Sequence, residues 1–498
     1  MALKIYNSLS RRKELFTPLH EGKITMYVCG MTVYSDAHIG HARTYLAFDI
    51  IRRYFEYKGF AVTYIQNITD VDDKIIAAAN GKNIDALEFS EHFAARCFAD
   101  LDALGIQPAD HYPKASKTIP DMITMIQQII DNGFGYNTNG DVYFSVERFK
   151  EYGKLSGQNL EEMKIGARVT PGDRKHNPLD FALWKAAKPG EPAWDSPWGK
   201  GRPGWHIECS TMSSKYLGLP FDIHGGGMDL RFPHHENEIA QAEAATGKLF
   251  AKHWMHVGLL TVNGEKMSKS LGNITNINDA LKRWDGEVLR AFFAQTHYRS
   301  PPDFNEHSLE NTKKGLDRIY RMKENFESYI KDQSFIELNK SILSAEEKEY
   351  LSTIRQFQER FETAMDDDFN TPKAFAEIFD FVNKSNIFLE SVTKPQTALI
   401  HSALSTLSSL GNILTLFQVK KETKDDTETI HKLQILIKKY DSSARETAID
   451  KLLQKLLAIR EEARKQKDWK KADTIRNALA TLGYELQDTE NGPIWRKM

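Results

Sequence analysis

The hydrophobic positions near the start of the chain predict a strand, a helix and a second strand. An apolar run at 24–28 predicts a buried strand, helical spacing at 42–57 predicts a helix that ends before Gly59, and 61–65 predicts the next strand. These three elements form a βαβ unit, the building block of parallel sheets. Because such sheets bind ligands at the carboxyl ends of their strands, residues 29–41 are predicted to lie at a binding site.

Two changes of pattern divide the middle of the chain. Residues 112–200 lose the order of strand and helix and end in a stretch rich in Pro, Gly and Trp, which predicts an insertion that crosses the surface. Strand patterns at 221–223 and 254–262 then complete a split sheet. Helical spacing dominates afterwards and predicts a helical bundle. Its clearest helical segments are 311–330, 345–364 and 371–389.

The end of the chain predicts a small separate domain. A polar run at 420–429 predicts a linker, and 449–467 predicts a helix. The apolar face of the next predicted helix holds Trp469, Ala472, Ile475, Leu479 and Leu482. Residues 484–486 and 494–495 flank the dipeptide at 491–492, Asn-Gly, which predicts a β-hairpin.

The predicted fold class is therefore α/β, with a Rossmann-type parallel sheet split by an insertion. An all-α helical bundle and a small C-terminal α+β domain follow it. The predicted segments are 1–111 and 201–300 for the two halves of the sheet domain, 112–200 for the insertion, 301–419 for the bundle, 420–430 for the linker and 431–498 for the last domain.

Composition restricts the class of protein. The 498 residues are 41% hydrophobic and 27% charged, which is typical of a multidomain soluble protein and excludes disorder. No apolar stretch approaches the roughly 18 residues that span a bilayer, and no signal peptide opens the sequence, so a cytoplasmic protein without a membrane partner is expected. Three cysteines cannot form a disulfide framework.

Charge gives a weaker indication of partners. The formal net charge of −2 does not predict a nucleic-acid binder. The last 68 residues, from 431 onwards, are different, since they contain 15 basic and 10 acidic side chains. This local excess favours a surface that faces phosphate, although solvated helix faces would look the same.

A histidine tetrapeptide lies at the predicted start of the first helix. It reads His38-Ile39-Gly40-His41 and follows the first strand. A helix N-terminus offers unpaired N–H groups to phosphate, Gly40 permits close approach, and the two imidazoles can donate hydrogen bonds to phosphate oxygens. The tetrapeptide predicts nucleotide binding, although two histidines at a helix start are, taken alone, more often a cap or a packing feature.

A lysine-rich pentapeptide lies on a predicted loop in the second half of the sheet. Lys266-Met267-Ser268-Lys269-Ser270 stands between the turn-prone Asn263-Gly264 and Gly272. Lys266 and Lys269 can close over a triphosphate and neutralise charge that develops at its α-phosphate. Alone, such a pentapeptide indicates only a solvated loop. Together with the histidine tetrapeptide, in this order on a split sheet, it resembles the signatures of class I aminoacyl-tRNA synthetases.

A third set of residues could bind a metal ion. Its members are Cys29, Cys209, His234 and Glu238. The spacing of four puts His234 and Glu238 on one face of a helix. Two thiolates, an imidazole and a carboxylate suit zinc, and a substrate thiolate could add to the same ion. From spacing alone His235 or Glu236 would serve as well, and lone cysteines are usually buried apolar residues.

The strings around these residues resemble the cysteinyl-tRNA synthetase family. They are 40–48, 67–74, 205–210 and 224–238. The resemblance runs from about residue 6 to residue 300 and returns at 469–495. It implies a two-step reaction, in which ATP activates L-cysteine as cysteinyl-adenylate and the 3′-terminal adenosine of tRNA(Cys) then accepts it. It also implies one Zn²⁺ per subunit, Mg²⁺ with ATP, and a monomer.

The resemblance also implies the role of individual residues. The catalytic residues would be His38, His41, Lys266 and Lys269. ATP would be bound by these four together with Gly40 and Asp229, and zinc by Cys29, Cys209, His234 and Glu238. The substrate cysteine would meet Thr69, Trp205 and His224. Plainer roles stay open: a strand-end hydrogen bond for Thr69, a surface plug for Trp205, a core histidine for His224 and a helix cap for Asp229.

The remaining cysteine and an acidic cluster are predicted to be structural. Cys97 lies in a helical stretch among apolar neighbours, so we expect a buried thiol. Asp70, Asp72 and Asp73 could be taken for a metal site, but a helix-start cap is the expectation.

The C-terminal third separates the functional alternatives. In the last domain the candidate tRNA contacts are Arg460, Lys470, Lys471, Arg476 and Trp495. A ligase that joins activated cysteine to an amino-sugar would not need a bundle and a basic end domain. A catalytically inactive tRNA-binding paralogue would be expected to lose the metal ligands or Lys269 first, and all are present.

Overall fold

The computed structural model describes residues 2–158, 175–268, 271–330, 338–417, 424–441, 449–489 and 492–497. The chain forms two compact units, Met1–Gln418 and Val419–Met498. The first unit contains the split sheet, its insertion and a helical bundle, and the described residues of the second form three helices and a hairpin.

The first half of the sheet domain alternates strands and helices as the apolar pattern predicts. Its elements are β1 (Lys4–Asn7), β2 (Arg12–Leu15), β3 (Lys23–Val28), α1 (Ile39–Tyr57), β4 (Ala61–Gln66), α2 (Asp73–Asn80) and α3 (Ala86–Ala103). Helix α1 begins three residues before the predicted position 42, so the histidine tetrapeptide forms its first turn. Asp72 and Asp85 cap α2 and α3 by accepting hydrogen bonds from backbone N–H groups.

The described residues of the insertion form a small antiparallel sheet beside one helix. It consists of α4 (Ile119–Asp131), β5 (Gly135–Thr138), β6 (Asp141–Phe144), β7 (Phe181–Ala186) and β8 (Gly201–Pro203), with the strands in the order β5-β6-β7-β8. Strand β8 therefore carries the insertion past the predicted boundary at residue 200. Its pairing with β7 matches Trp184 with Pro203, and Trp184 is fully buried in the core of the insertion.

The second half of the sheet domain completes the parallel sheet. It contains α5 (Trp205–Leu217), β9 (Phe221–Gly227), α6 (His234–Thr246), β10 (Ala251–Val257), β11 (Thr261–Val262) and β12 (Glu265–Lys266). The parallel strand order is β10-β9-β3-β4, so strands from the two halves meet at β9 and β3. This confirms the predicted split sheet and brings the end of β3 close to the end of β9.

Helices follow the sheet domain. The next elements are α7 (Ile277–Leu281), α8 (Gly286–Ala294), β13 (Asp303–Phe304), α9 (Glu306–Ile330), α10 (Ala345–Asp366), α11 (Thr371–Ser391) and α12 (Thr397–Ile413). Ser344 and Glu347 form a capping box at the start of α10, and Asn370 caps α11. Short 3₁₀ turns lie at Ala115–Lys117, Val146–Arg148, Met228–Arg231 and Lys340–Ile342.

In the described part of the second unit, three helices pack around a small apolar core. Its elements are α13 (Lys424–Lys438), α14 (Ile449–Lys465), α15 (Trp469–Thr481), β14 (Tyr484–Thr489) and β15 (Gly492–Lys497). The segment 420–430, expected as a linker, is thus helical from Lys424 onwards. The two strands form the predicted hairpin. Trp469 differs from the prediction, since it is 58% exposed whereas Ala472, Ile475 and Leu479 on the same helix are buried.

No helix among the described residues is both long enough and apolar enough to cross a membrane.

Candidate active site

The four predicted metal ligands come from three elements that meet at the end of the parallel sheet. Cys29 directly follows β3, Cys209 lies in the second turn of α5, and His234 and Glu238 lie in the first turns of α6. Their donor atoms all lie within 4.8 Å of one another, and all four residues are buried. The structure therefore brings together side chains that are up to 209 positions apart in the sequence.

The distances within this cluster are close to those expected around a common ion. Cys29 Sγ lies 3.5 Å from Glu238 Oε1, and His234 Nε2 lies 3.1 Å from the same oxygen. Two donors at tetrahedral angles, bound at about 2.0–2.3 Å, lie roughly 3.3–3.8 Å apart. Sulfur, nitrogen and oxygen donors at this separation can hold a metal ion, and two sulfurs favour a soft or borderline one.

Burial sets the protonation of the cluster when no cation is bound. Burial, and then the neighbouring Cys209, raise the pKa of the Cys29 thiol well above its usual value. Burial, and then His206, hold the pKa of His234 well below its usual value. The thiol is therefore protonated and the imidazole neutral near pH 7, so that a metal ion would release protons on binding.

The alternative ligands left open by the spacing behave differently from one another. Glu236 accepts hydrogen bonds from the backbone N–H groups of Gly153 at 2.9 Å and Ser156 at 2.7 Å, which ties it to the insertion. His235, by contrast, belongs to a second possible group with Cys29, His224 and Glu238. Both groups share Cys29 and Glu238, so they describe two neighbouring positions at which a metal ion could bind beside the Glu238 carboxylate.

The three residues predicted to contact the substrate cysteine differ in their exposure to solvent. Trp205 is 37% exposed and its ring centroid lies 4.3 Å from that of His234. Thr69 is buried, and its hydroxyl accepts a hydrogen bond from Asn67 Nδ2 at 3.2 Å. His224 is fully enclosed, with Nε2 2.7 Å from Glu238 Oε2 and its ring stacked on Trp254. Only Trp205 among these three reaches the surface.

The histidine tetrapeptide forms a compact start of α1. The rings of His38 and His41 stack with their centroids 3.7 Å apart, and the backbone N–H of His38 donates to His41 Nδ1 at 3.2 Å. Burial, and then His38, lower the pKa of His41, so its ring is neutral near pH 7. Because Nδ1 accepts, the ring hydrogen lies on Nε2, which can donate to a phosphate oxygen.

The lysine-bearing loop lies against this helix start. A Cβ atom on Gly40 would lie 2.9 Å from Met267 Cε, the end of a flexible side chain, so Gly40 and Met267 are close neighbours. The backbone N–H of Ile39 donates to the carbonyl oxygen of Thr275 at 3.0 Å. The two signature motifs are thus neighbours in space. Lys266 is exposed at the end of β12, whereas Lys269 lies outside the described residues.

Three further predictions concern carboxylates and the third cysteine. Asp229 is exposed in the 3₁₀ turn after β9 and does not cap a helix. Asp72 accepts from Lys74 N–H at 2.8 Å, which confirms the expected cap. Asp70 accepts from the backbone of Ser116. Cys97 is a buried, free thiol, as expected.

The residues of the second unit that were predicted to contact RNA differ in their exposure to solvent. Lys470 and Arg476 are exposed on α15, and the Lys471 ammonium lies 5.2 Å from the centre of the Tyr440 ring. Arg460 is only 4% exposed, so the structure places it in the interior rather than on an RNA-facing surface. Trp495 pairs with Leu486 across the hairpin, and its side chain lies outside the described part.

Two residues near the metal cluster were not predicted as site residues. His206 Nδ1 lies 2.8 Å from His234 Nδ1, which leaves His234 Nε2 directed at Glu238. Glu208 is a fully buried carboxyl group whose pKa is raised well above its usual value by burial and then by Asp70. In the sequence His206 follows Trp205 and Glu208 precedes Cys209, and this proximity to predicted site residues could have indicated a role at the site.

Three family descriptions match the chain in order. Residues 15–314 match "tRNA synthetases class I (C) catalytic domain", residues 360–418 match "DALR domain", and residues 447–496 match "Cysteinyl-tRNA ligase anticodon binding domain". The first match alone covers more than half of the chain.

Relatives match over the full length. A cysteine–tRNA ligase of Thermococcus onnurineus (strain NA1) is 46% identical over 502 residues, covering 100% of each chain. One of Coxiella burnetii (strain RSA 493 / Nine Mile phase I) is 46% identical over 498 residues, again covering 100% of each chain. A solved Mycobacterium tuberculosis methionyl-tRNA synthetase with methionyl-adenylate is 14% identical, with a TM-score of 0.60 over 79% of this chain and 90% of that one. This last likeness shows the fold.

Proposed function

The chain belongs to the cysteine–tRNA ligase family, and on that premise we propose that it activates L-cysteine with ATP and transfers it to tRNA(Cys), with a buried zinc ion as the thiol-binding element. The observation that carries the proposal is the cluster of Cys29, Cys209, His234 and Glu238, whose donor atoms converge within 4.8 Å. It lies at the sheet end where the signature motifs also lie.

We assign zinc to this set rather than to the set with His224 and His235. It has two thiols, which favour zinc over harder ions. His234 in this set also lies beside the half-exposed Trp205, whereas His224 and His235 are completely enclosed. A substrate thiol can therefore approach along Trp205. When bound, a zinc ion would take that thiol as a further ligand and favour its deprotonation.

Selectivity for cysteine follows from the donor set. A serine hydroxyl is a hard, weakly acidic ligand, so a site built around two thiols binds it far less well than a thiol. Trp205 and Thr69 would enclose the rest of the amino acid, with the Thr69 hydroxyl oriented by Asn67.

The signature residues would act on ATP in the first step. His41 Nε2 and the N–H groups of the first turn of α1 hold phosphate oxygens, and Mg²⁺ accompanies the nucleotide. Lys266 and Lys269 neutralise charge on the α-phosphate while the substrate carboxylate attacks it and diphosphate leaves. Asp229, which is exposed after β9, would contact the ribose. No side chain needs to act as a general base, because the attacking carboxylate is already ionised.

The test is cysteine-dependent exchange of labelled diphosphate into ATP, with serine as control and charging of total tRNA in parallel. We expect exchange with cysteine alone, loss of exchange after treatment with a zinc chelator, and recovery with added zinc. Exchange without charging would favour an amino-sugar acceptor, and absence of exchange would favour a tRNA-binding protein without catalysis.

A further inference from the structure

Arg43 carries a positive charge into the interior of the first unit. It lies in α1, two positions after His41, and is only 3% exposed. Burial lowers the pKa of Arg43 to about 10, so the guanidinium stays charged near pH 7. Among the described residues its hydrogen-bond partners are backbone carbonyl oxygens, and none is a carboxylate. Because a buried charge without a counter-charge is costly, its position points to a role beyond packing.

The carbonyl oxygens that surround Arg43 lie at and just beyond the end of α8. Nη1 donates to the carbonyl oxygen of Phe293 at 2.7 Å, and Nη2 donates to that of His297 at 2.6 Å. The carbonyl oxygens of Thr296 and Ser300 lie 3.2 and 3.4 Å from Nη2. The last carbonyl groups of a helix have no partner within it and carry partial negative charge, so they favour a cation. One side chain of α1 therefore holds the turn that follows α8.

This turn leads directly into the strand that supports the lysine-bearing hairpin, β11–β12. Strand β13 follows the turn and pairs with β11, so that Thr261 is matched with Asp303 on one side and with Lys266 on the other. Asp303 Oδ1 also accepts from Thr261 Oγ1 at 2.8 Å and from the backbone N–H of Gly264 at 2.7 Å. Lys266 is thus connected to the turn through two strand pairings.

Asp368 holds the same turn from the side of the helical bundle. This fully buried carboxylate accepts from the hydroxyl of Tyr298 at 2.8 Å and from Arg299 Nε at 2.9 Å. The turn is therefore anchored to the bundle, and Arg43 attaches α1 to this anchored turn.

The two ends of the catalytic loop, residues 266–275, are fixed to α1 in different ways. At the far end the backbone N–H of Ile39 donates directly to the carbonyl oxygen of Thr275 at 3.0 Å. At the near end Lys266 is reached through the hairpin, β13 and the turn that Arg43 holds. The position of Lys266 relative to the start of α1 therefore depends on Arg43.

We propose that Arg43 is a positioning residue for the activation step, which sets the distance between the phosphate-binding start of α1 and the hairpin that carries Lys266; this inference rests on the proposed function. His41 and Lys266 would act on the same triphosphate, so the rate depends on their separation. A misplacement of about 1 Å that arises far from the chemistry can cost about 100-fold in rate. Arg43→Lys keeps the charge but replaces a planar fork of donors with a compact ammonium group.

The test measures the rate constant of cysteinyl-adenylate formation in the first turnover, by rapid chemical quench at saturating ATP and cysteine. The amplitude of this phase reports the fraction of active protein, whereas its rate constant does not depend on that fraction. A variant that is merely less stable therefore loses amplitude only. We expect Arg43→Lys to lower the rate constant about 30-fold and to keep the KM for cysteine within about twofold.

Arg290→Lys is the matched control. Arg290 is another buried guanidinium of the first unit that donates to backbone carbonyls, those of Thr415 at 2.7 Å and Leu104 at 2.9 Å, and not to the turn after α8. This variant should lower the Tm as Arg43→Lys does but keep the first-turnover rate constant within about twofold of the unaltered chain. An equal fall of the rate constant in both variants would overturn the proposal.

A double-variant cycle decides whether Arg43 acts through Lys266. In a chain that already carries Lys266→Ala, the further change Arg43→Lys should slow adenylate formation less than about threefold, because the lysine that Arg43 positions is gone. A further loss of about 30-fold in that background would show that the two residues act independently and would overturn the proposal.

Amide hydrogen exchange of the hairpin separates this inference from the function on which it rests. Exchange at 261–266, followed by mass spectrometry, should be about tenfold faster in Arg43→Lys and unchanged in Arg290→Lys. Equal amide exchange in the two variants would show that Arg43 does not hold the hairpin. If the unaltered chain forms no adenylate, the proposed function fails, while the amide exchange still decides whether Arg43 positions Lys266.

Discussion

At the scale of single residues, the metal cluster depends on the chemical nature of its donor atoms. Replacing Cys209 with serine exchanges a soft donor for a hard one inside a fully buried site. We expect the zinc content of purified Cys209→Ser to fall from about one to below about 0.2 per chain, as ligand loss weakens metal sites by far more than tenfold. Mass spectrometry of the metal content measures this.

Glu236→Gln is the matched control, since Glu236 is equally buried in the same helix turn but bonds the backbone of the insertion. We expect it to retain zinc while lowering the Tm. Zinc loss from Glu236→Gln with retention in Cys209→Ser would show that the ligand set is assigned wrongly.

A second prediction at the scale of single residues concerns Asp100, a carboxylate whose ionised form destabilises the fold. Asp100 is buried near the C-terminal end of α3, and one of its oxygens meets no hydrogen-bond partner among the described residues. Burial, and then Asp36, raise the pKa of Asp100 to about 6. Because this acid has a higher pKa in the folded chain than in the unfolded chain, its ionisation destabilises the fold above that pKa, and the penalty disappears as the pH falls below about 4.

Asp100→Asn removes this charge and keeps the shape. We expect the Tm of the variant to exceed that of the unaltered chain by about 2 °C at pH 7.5 and to equal it at pH 4, a modest value because the group is partly screened by solvent. Scanning calorimetry or fluorescence at both pH values measures the difference. A gain that is the same at both pH values would mean that charge is not its cause.

At the scale of elements, the start of α1 and the catalytic loop fit each other through Gly40. In Gly40→Ala the added methyl would lie 2.9 Å from Met267 Cε and 3.0 Å from the His38 ring. We expect the exchange rate to fall about tenfold, equivalent to about 1.4 kcal/mol in the barrier, with thermal stability little changed. The double variant Gly40→Ala/Met267→Ala should recover most of the rate, and if it does not, the clash with Met267 is not the cause.

The sequence predicted most elements, and the differences have local physical causes. Strong periodicity located the parallel strands, the bundle helices and the terminal hairpin. Helix α1 begins earlier than its apolar pattern because His38 and His41 form a capping box at its start. In this box the side chain of each histidine accepts a hydrogen bond from the backbone N–H of the other. Trp469 follows the apolar period of α15 but lies in its first turn, outside the core formed by Ile475 and Leu479.

The site was less predictable than the fold. The ligand set could be named because the motif strings resemble a family, but spacing did not separate Glu236 from Glu238. That distinction depends on backbone groups of the insertion about 80 residues away. Exposure was also beyond reach, as the buried Arg460 shows. Its charge suggested RNA contact, whereas the fold of the second unit leaves it only 4% exposed.

At the scale of the whole molecule, the two compact units divide the proposed reaction between them. All residues assigned to activation lie in the unit Met1–Gln418, and the match to an anticodon-binding domain lies in the other unit. A chain that ends after Phe417 should therefore keep cysteine-dependent exchange within about threefold and lose tRNA charging by about 100-fold or more. Equal loss of both activities would contradict this division of labour.

The most direct test of the account is the zinc coordination of the full-length chain, measured by X-ray absorption with and without cysteine. Because Cys29 and Cys209 supply two thiolates, we predict two sulfur neighbours at about 2.3 Å without substrate and three with cysteine. Serine should leave the number at two. A sulfur count that does not change when cysteine is added would contradict the claim that the bound metal recognises the substrate thiol.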